Sequence, residues 1–252
     1  MLKRALWIAI PVFVIGLAAR LPASVALSWF LPDTVETRGI QGTVWNGSVD
    51  AAAYNELGIG PVEWRLSPFA LLTGRAKAKV EAKLPGGFFD GTVTASPSGR
   101  MVVQDARAQV DLGTVTRNAS MGPSRGTARV SADRLEIDQQ WPVAVEQGVL
   151  ELRDLTYLGI GTQPLGSHRI TFSESEGDTE FPIIGVIESL EGAFDVDATL
   201  RLATDSGYQL TGSVGLTEQA PPRLRQQLSV ALGQPDATGR FQLDERGSVL
   251  AP

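Results

Sequence analysis

His168 is the only histidine in the chain, and it falls in a run, His168-Arg169-Ile170-Thr171-Phe172, that reads as a strand. A nucleophilic triad or a zinc site needs specific partners placed around such a residue. The sequence offers none, so His168 reads as a surface or edge residue. There is no phosphate-binding glycine loop of either common kind. Cysteine is absent, which removes disulfides, thiolate metal sites and thiol nucleophiles. Glu174, Glu176, Asp178 and Glu180 alternate as calcium ligands do, but without the full spacing or the terminal glutamate; they read as a solvated loop. Asp195 and Asp197 share the polar face of one strand, and acid–base work would need a fixed separation that nothing in the sequence sets. These residues give no catalytic, cofactor or metal site, and they argue against an enzyme.

The most directed polar feature is a basic strip. From Arg75 to Leu84 the chain alternates, with Ala76, Ala78, Val80, Ala82 and Leu84 on one face. Arg75, Lys77, Lys79 and Lys83 take the other face, against Glu81 alone. Two readings stay open: a contact for anionic headgroups or an acidic partner subunit, and a solvated strand protected by its lysines. Trp45 and Trp64 read as packing residues. The net charge of −6 argues against a nucleic-acid partner, which requires a basic face.

The elements that position these groups are mostly strands. Val35–Ile40, Gly42–Gly47 (with tight bends at its glycines), Val62–Leu66 and Arg75–Leu84 come first. Later alternating runs include Ala128 to Asp133, Val149 to Arg153, Phe194 to Leu202 and Tyr208 to Leu216. Short strands with glycine turns at this spacing indicate an antiparallel all-β architecture. Ser67 to Gly74 reads as a short helix with Pro68 at its first position. A second helix starts at Pro221-Pro222, carries Leu224, Leu228 and Ala231-Leu232 on one stripe, and stops at Gly233. If the sheet curls without closing, Val80, Val196, Leu200, Leu210 and Val214 line an apolar trough; if it closes, they form a core.

The start of the chain differs. After Lys3 and Arg4, residues Ala5 to Ala19 carry no charge, and the uncharged run resumes after Arg20 to Leu31. Leu6, Trp7, Ile8, Ile10, Val12, Phe13, Val14, Ile15 and Leu17 are the apolar side chains of a membrane anchor over Ala5 to about Leu21. A cleaved signal ending after Ala26 and a buried core helix are the alternatives. Lys3 and Arg4 favour a cytoplasmic N-terminus. The reading is therefore mainly β: one N-terminal transmembrane helix, then an antiparallel sheet, curved or open, or a sandwich, with one or two short helices. Residues 1–31 form the cytoplasmic start, the signal-anchor and an interfacial segment. Residues 32–252 form an exported β-rich domain, divisible into similar halves at about 35–137 and 147–252.

Several motifs in this order resemble one family. They are the basic start with its single apolar segment, Gly42-Thr43-Val44-Trp45-Asn46-Gly47, and Val62 through Ser67-Pro68-Phe69-Ala70-Leu71-Leu72-Thr73-Gly74. The end of the chain adds Leu228 to Gly233 and Pro235-Asp236-Ala237-Thr238-Gly239-Arg240-Phe241. With Trp45, Trp64, Pro68 and Leu72, the glycines Gly42, Gly47, Gly74, Gly233 and Gly239 mark the match. The chain resembles the protein N family of type II secretion systems, which export folded proteins across the outer membrane of Gram-negative bacteria. The resemblance implies a non-enzymatic, single-pass inner-membrane protein with a periplasmic β domain and no cofactor. It implies partners among the other secretion subunits, the inner-membrane platform or the secretin. A weaker likeness is to periplasmic β-sheet proteins that carry lipid, which implies a hydrophobic ligand held in a sheet groove.

Overall fold

Alternation of apolar and polar residues builds this chain into a single antiparallel sheet. The computed structural model describes residues 20–30, 35–54, 57–84, 86–115, 124–157 and 165–248. The strands are β1 (Val35–Gly42), β2 (Asn46–Tyr54), β3 (Leu57–Ile59), β4 (Val62–Leu66), β5 (Ala76–Leu84), β6 (Gly87–Ala95), β7 (Met101–Asp111) and β8 (Ser124–Asp138). They continue as β9 (Trp141–Glu146), β10 (Gly148–Tyr157), β11 (Gly166–Glu174), β12 (Ile183–Gly192), β13 (Phe194–Leu202), β14 (Gly207–Leu216) and β15 (Phe241–Ser248). Four helices accompany them among the described residues: α1 (Ala23–Phe30), α2 (Pro68–Leu71), α3 (Leu112–Val115) and α4 (Pro222–Leu232). That is more helix than the sequence suggests, because α1 and α3 carry no capping signal.

The strand order is β1-β2-β4-β5-β6-β7-β8-β10-β11-β12-β13-β14-β15, with β3 on β2 and β9 on β8. Every pairing is antiparallel, and strands pair in chain order except that β4 and β10 reach past β3 and β9 to β2 and β8. One sheet is present, not two stacked ones. No pairing closes β1 onto β15 among the described residues.

Antiparallel partners share a face, so register can be followed across the whole sheet. Ile40 pairs Val49, Val49 pairs Val62, and Val62 pairs Ala82. The row continues through Phe89, Ala108, Val130 and Leu150. It then passes Ile170, Ile187, Ala198 and Gly212 to Leu243. No charged residue interrupts this row. At about 4.8 Å per strand it runs roughly 58 Å along the curve. The opposite face carries the charges, including the ladder Arg129–Glu151–Arg169–Glu188.

The sheet curls with its apolar face inward. Val103 on β7, Ala132 on β8, Val145 on β9 and Ile183 on β12 meet in one buried cluster. Phe89 and Val93 from β6 and Phe172 and Leu202 from β11 and β13 pack against it. At the end where Asp138 turns into Trp141, the sheet forks. β8 pairs β9 over residues 134–138 but pairs β10 over residues 124–131. Trp141 closes the fork by donating its indole N–H to the Ala203 carbonyl at 2.7 Å.

Two sequence expectations change. Gly42–Gly47 is not a strand of its own; Gly42 and Gly47 pair as the ends of β1 and β2, and residues 43–45 turn between them. Gly42 has φ +81°, which a side chain would resist. The proposed anchor residues Leu6 to Leu17 lie outside the described residues. Among the described residues no helix is long and apolar enough to cross a membrane.

Candidate functional site

Two places on the sheet bring together the residues that the sequence singles out. The first is the end formed by the β1–β2 turn and the β4–β5 connection. The Val44 N–H donates to the Leu21 carbonyl at 3.0 Å, and Pro22 bridges Thr43. The Leu66 N–H donates to the Trp45 carbonyl at 2.8 Å, and the Ser67 N–H to the Lys77 carbonyl at 2.8 Å. The Trp64 indole N–H donates to the Val44 carbonyl at 3.0 Å. Gly47 lies directly under that ring: a Cβ there would stand 2.5 Å from the Trp64 Cζ2 atom. Gly42, Trp45, Gly47 and Trp64 are thus one locked corner, and it holds the point at which residue 21 joins the sheet.

From the same corner α2 projects. Ser67 occupies the N-cap position but makes no capping hydrogen bond, and Pro68 sits in the first turn. Gly74, at φ +73°, turns the chain back into β5. Phe69 is 79% exposed and Leu72 83% exposed. The motif positions Pro68, Leu72 and Gly74 are therefore not core.

The basic strip divides. Lys79 pairs with Glu81 at 2.8 Å and with Asp90 at 3.5 Å. The hydrogen bond that Lys79 donates to the Glu81 carboxylate is the main cause that raises the Lys79 pKa and lowers that of Glu81. Arg75, Lys77 and Lys83 make no ion pair with a described residue. Arg75 and Lys77 lie at the α2 end of β5, and Lys83 at the opposite end.

The second place is the fork. An apolar cavity of 240 Å³ opens there, lined by Val130, Leu135, Ile137, Val145, Phe172, Ile183 and Leu202, among others. Val130, at its rim, is 38% exposed. Of the trough residues named from the sequence, Val80, Val196, Leu200 and Leu210 are half-buried and Val214 is buried. All five share the apolar face. The cavity was not legible in the sequence, because Leu135, Phe172 and Leu202 come from strands far apart in the chain. A faint signal was Gly185: a Cβ there would stand 2.8 Å from the Phe172 ring.

Among the remaining polar candidates, His168, Asp195 and Asp178 have structural partners. His168 is 7% exposed, which corrects its reading as a surface or edge residue. It lies on β11 inside the sheet, with Nδ1 3.1 Å from the Ser189 hydroxyl, and burial lowers its pKa. Asp195 pairs with Arg240, which also donates to Ser213. Asp178 accepts from the Glu180 and Phe181 N–H groups in a turn. Among the described residues no group of acidic or histidine side chains could hold a metal ion. Near the end of the chain Gly233, with φ +88°, ends α4, and Gly239, with φ +82°, shapes the turn before β15. Asp236 in that turn accepts from the Thr238 hydroxyl and from the Arg240 N–H, and its pKa falls to about 2.

The family described as "Type II secretion system (T2SS), protein N" matches residues 33–244. "Type II secretion system protein N" of Vibrio cholerae serotype O1 is 24% identical over 265 residues, which cover 94% of this chain and 95% of that protein. No solved structure matches.

Proposed function

The chain belongs to the type II secretion system protein N family, and from that premise we propose that it is a non-enzymatic inner-membrane subunit of that machine. Residues 5–21 anchor it, the N-terminus is cytoplasmic, and the sheet works in the periplasm. It supports export of folded proteins through contacts with other secretion subunits, those of the inner-membrane platform and the secretin. The match over residues 33–244 carries this reading, since it takes in almost the whole sheet. The sheet also suits a scaffold: β1 ends the strand order, and a sheet edge can accept a partner strand. Affinity purification of the full chain from envelopes of a secreting strain should recover platform subunits. Recovery of none would refute the role.

A second reading is favoured by one observation, the apolar cavity at the fork and its open rim. The lining is mainly aliphatic and aromatic, with Ser131 and Gln140 the polar residues, and apolar cavities bind apolar molecules. Under this reading the trough holds a lipid chain or another hydrophobe. Native mass spectrometry of the chain from mild detergent should show a co-purified lipid that Ile183→Phe, which fills the cavity, displaces. An identical ligand load in both forms would exclude the site.

A further inference from the structure

We propose that α2 is a second membrane contact: its apolar knuckle dips into the surface of an anionic phospholipid bilayer, beside the point where the N-terminal segment leaves the sheet. This rests on the reading of residues 5–21 as an anchor.

Phe69, Leu71 and Leu72 are all among the exposed large apolar residues of the chain. They fall within four consecutive positions of one short connection. Nothing lies within 4 Å of a Cβ built on Gly74, so the end of the knuckle is open to its surroundings. Three large apolar groups exposed together at a tip are unfavourable in water, where single exposed residues would need no comment.

The position of the knuckle identifies what covers it. Leu21 is hydrogen-bonded to Val44 in the β1–β2 turn, and the next residue of that turn, Trp45, is hydrogen-bonded to Leu66, two residues before Pro68. The uncharged run Ala5–Ala19 therefore joins the sheet at the corner from which α2 projects. An anchor leaving this corner places the knuckle at the same bilayer surface. The charges agree. Arg20, Arg65, Arg75 and Lys77 are exposed at this end, and Arg100 lies in the β6–β7 turn at the same end. The acidic groups there are paired, Glu136 with Arg134 and with Arg100 at 3.7 Å, and Asp138 with Arg100 at 3.6 Å. A basic collar around an apolar tip fits phosphate headgroups above acyl chains. The sheet then stands end-on, on two supports, with the far end of β5 held away from the surface.

The absence of native cysteine makes single labelled sites clean. Phe69→Cys, Leu72→Cys and Lys83→Cys, each with an environment-sensitive fluorophore, are reconstituted as full chains in phosphatidylethanolamine–phosphatidylglycerol vesicles. Vesicle flotation reports the anchor. Quenching by nitroxide lipids against aqueous iodide reports the knuckle. The probes at 69 and 72 should be quenched by nitroxides placed about 5–10 Å below the headgroups and be shielded from iodide. The probe at 83 should behave oppositely. A chain that floats while 69 and 72 remain open to iodide overturns the knuckle contact and spares the anchor. A chain that does not float overturns both. Shielding at 83 as well overturns the end-on arrangement in favour of contact along the β5 face. Arg75→Glu with Lys77→Glu should return the probe at 72 to iodide, and unchanged shielding overturns the assignment to an anionic surface.

Discussion

Gly47→Ala is expected to destabilise the fold by about 2–3 kcal/mol, although the backbone of Gly47 needs no glycine. Gly47 is absent from the positive-φ glycines, so an alanine there meets no conformational penalty. The cost is steric. The added Cβ would stand 2.5 Å from the Trp64 ring and 2.9 Å from the carbonyl oxygens of Gln41 and Thr43. The Gln41 carbonyl belongs to β1 and the Thr43 carbonyl to the turn, both fixed backbone, so the ring must move by about 1 Å to regain carbon–carbon contact distance. That movement stretches the 3.0 Å bond from the Trp64 indole to Val44, which costs about 1 kcal/mol, and overpacking supplies the rest. The melting temperature should fall by about 4–12 °C. Urea titration of the reconstituted chain gives the free energy. Trp64→Leu combined with Gly47→Ala should recover part of the loss, because only the ring contact is relieved. A single-mutant loss under about 0.5 kcal/mol would mean that the corner is loose, and the reasoning would fail.

Gly185→Ala should cost less than about 1 kcal/mol, although its Cβ would also approach a ring at 2.8 Å, because Phe172 can retreat into the cavity. The same variant should lower any lipid load seen by native mass spectrometry. His168 has its pKa lowered by burial, so it contributes stability that is full above the ordinary 6.5 and is lost as pH falls below that value. Urea midpoints between pH 7 and pH 5 should show the loss, and His168→Gln should remove it. Asp236, depressed from 3.8 to about 2, contributes stability that is present above 3.8 and is lost as pH falls through about 2. Asp236→Asn should flatten that acid limb, as read by circular dichroism.

Much of the fold is legible in the sequence because each strand is a simple alternation. The span Ala76–Leu84 alternates half-buried and exposed at every residue. The α4 helix is announced by Pro222 and Gly233. The β1–β2 turn is not, because Thr43-Val44-Trp45 has strand-forming residues and only the geometry of Gly42 makes it a corner. His168 misleads for a similar reason: its neighbour Arg169 pairs with Glu151 on the outer face, while His168 points the other way. Of the candidate site, the basic strip is readable but its division is not. Lys79 is paired by Glu81 on its own strand and also by Asp90 from β6, and the second partner is fixed by register, which no local pattern encodes. The exposure of Phe69 and Leu72 runs against the ordinary expectation that apolar residues beside a proline-started helix are packing residues.

The strand order has a consequence for how the molecule is made. Each strand pairs with the one just before it, except that β4 and β10 reach past the short β3 and β9 to β2 and β8, so the sheet can grow from β1 as the chain emerges, without waiting for distant segments. Growth of this kind always presents a fresh edge, and an edge that never stopped would capture other chains. β15 supplies the stop. It carries Asp244, Glu245 and Arg246 in succession, and Glu245, opposite Leu210, sets a carboxylate on the apolar face, where the Tyr208 hydroxyl donates to it at 3.3 Å. Vectorial assembly thus ends on a strand whose charges discourage the addition of another.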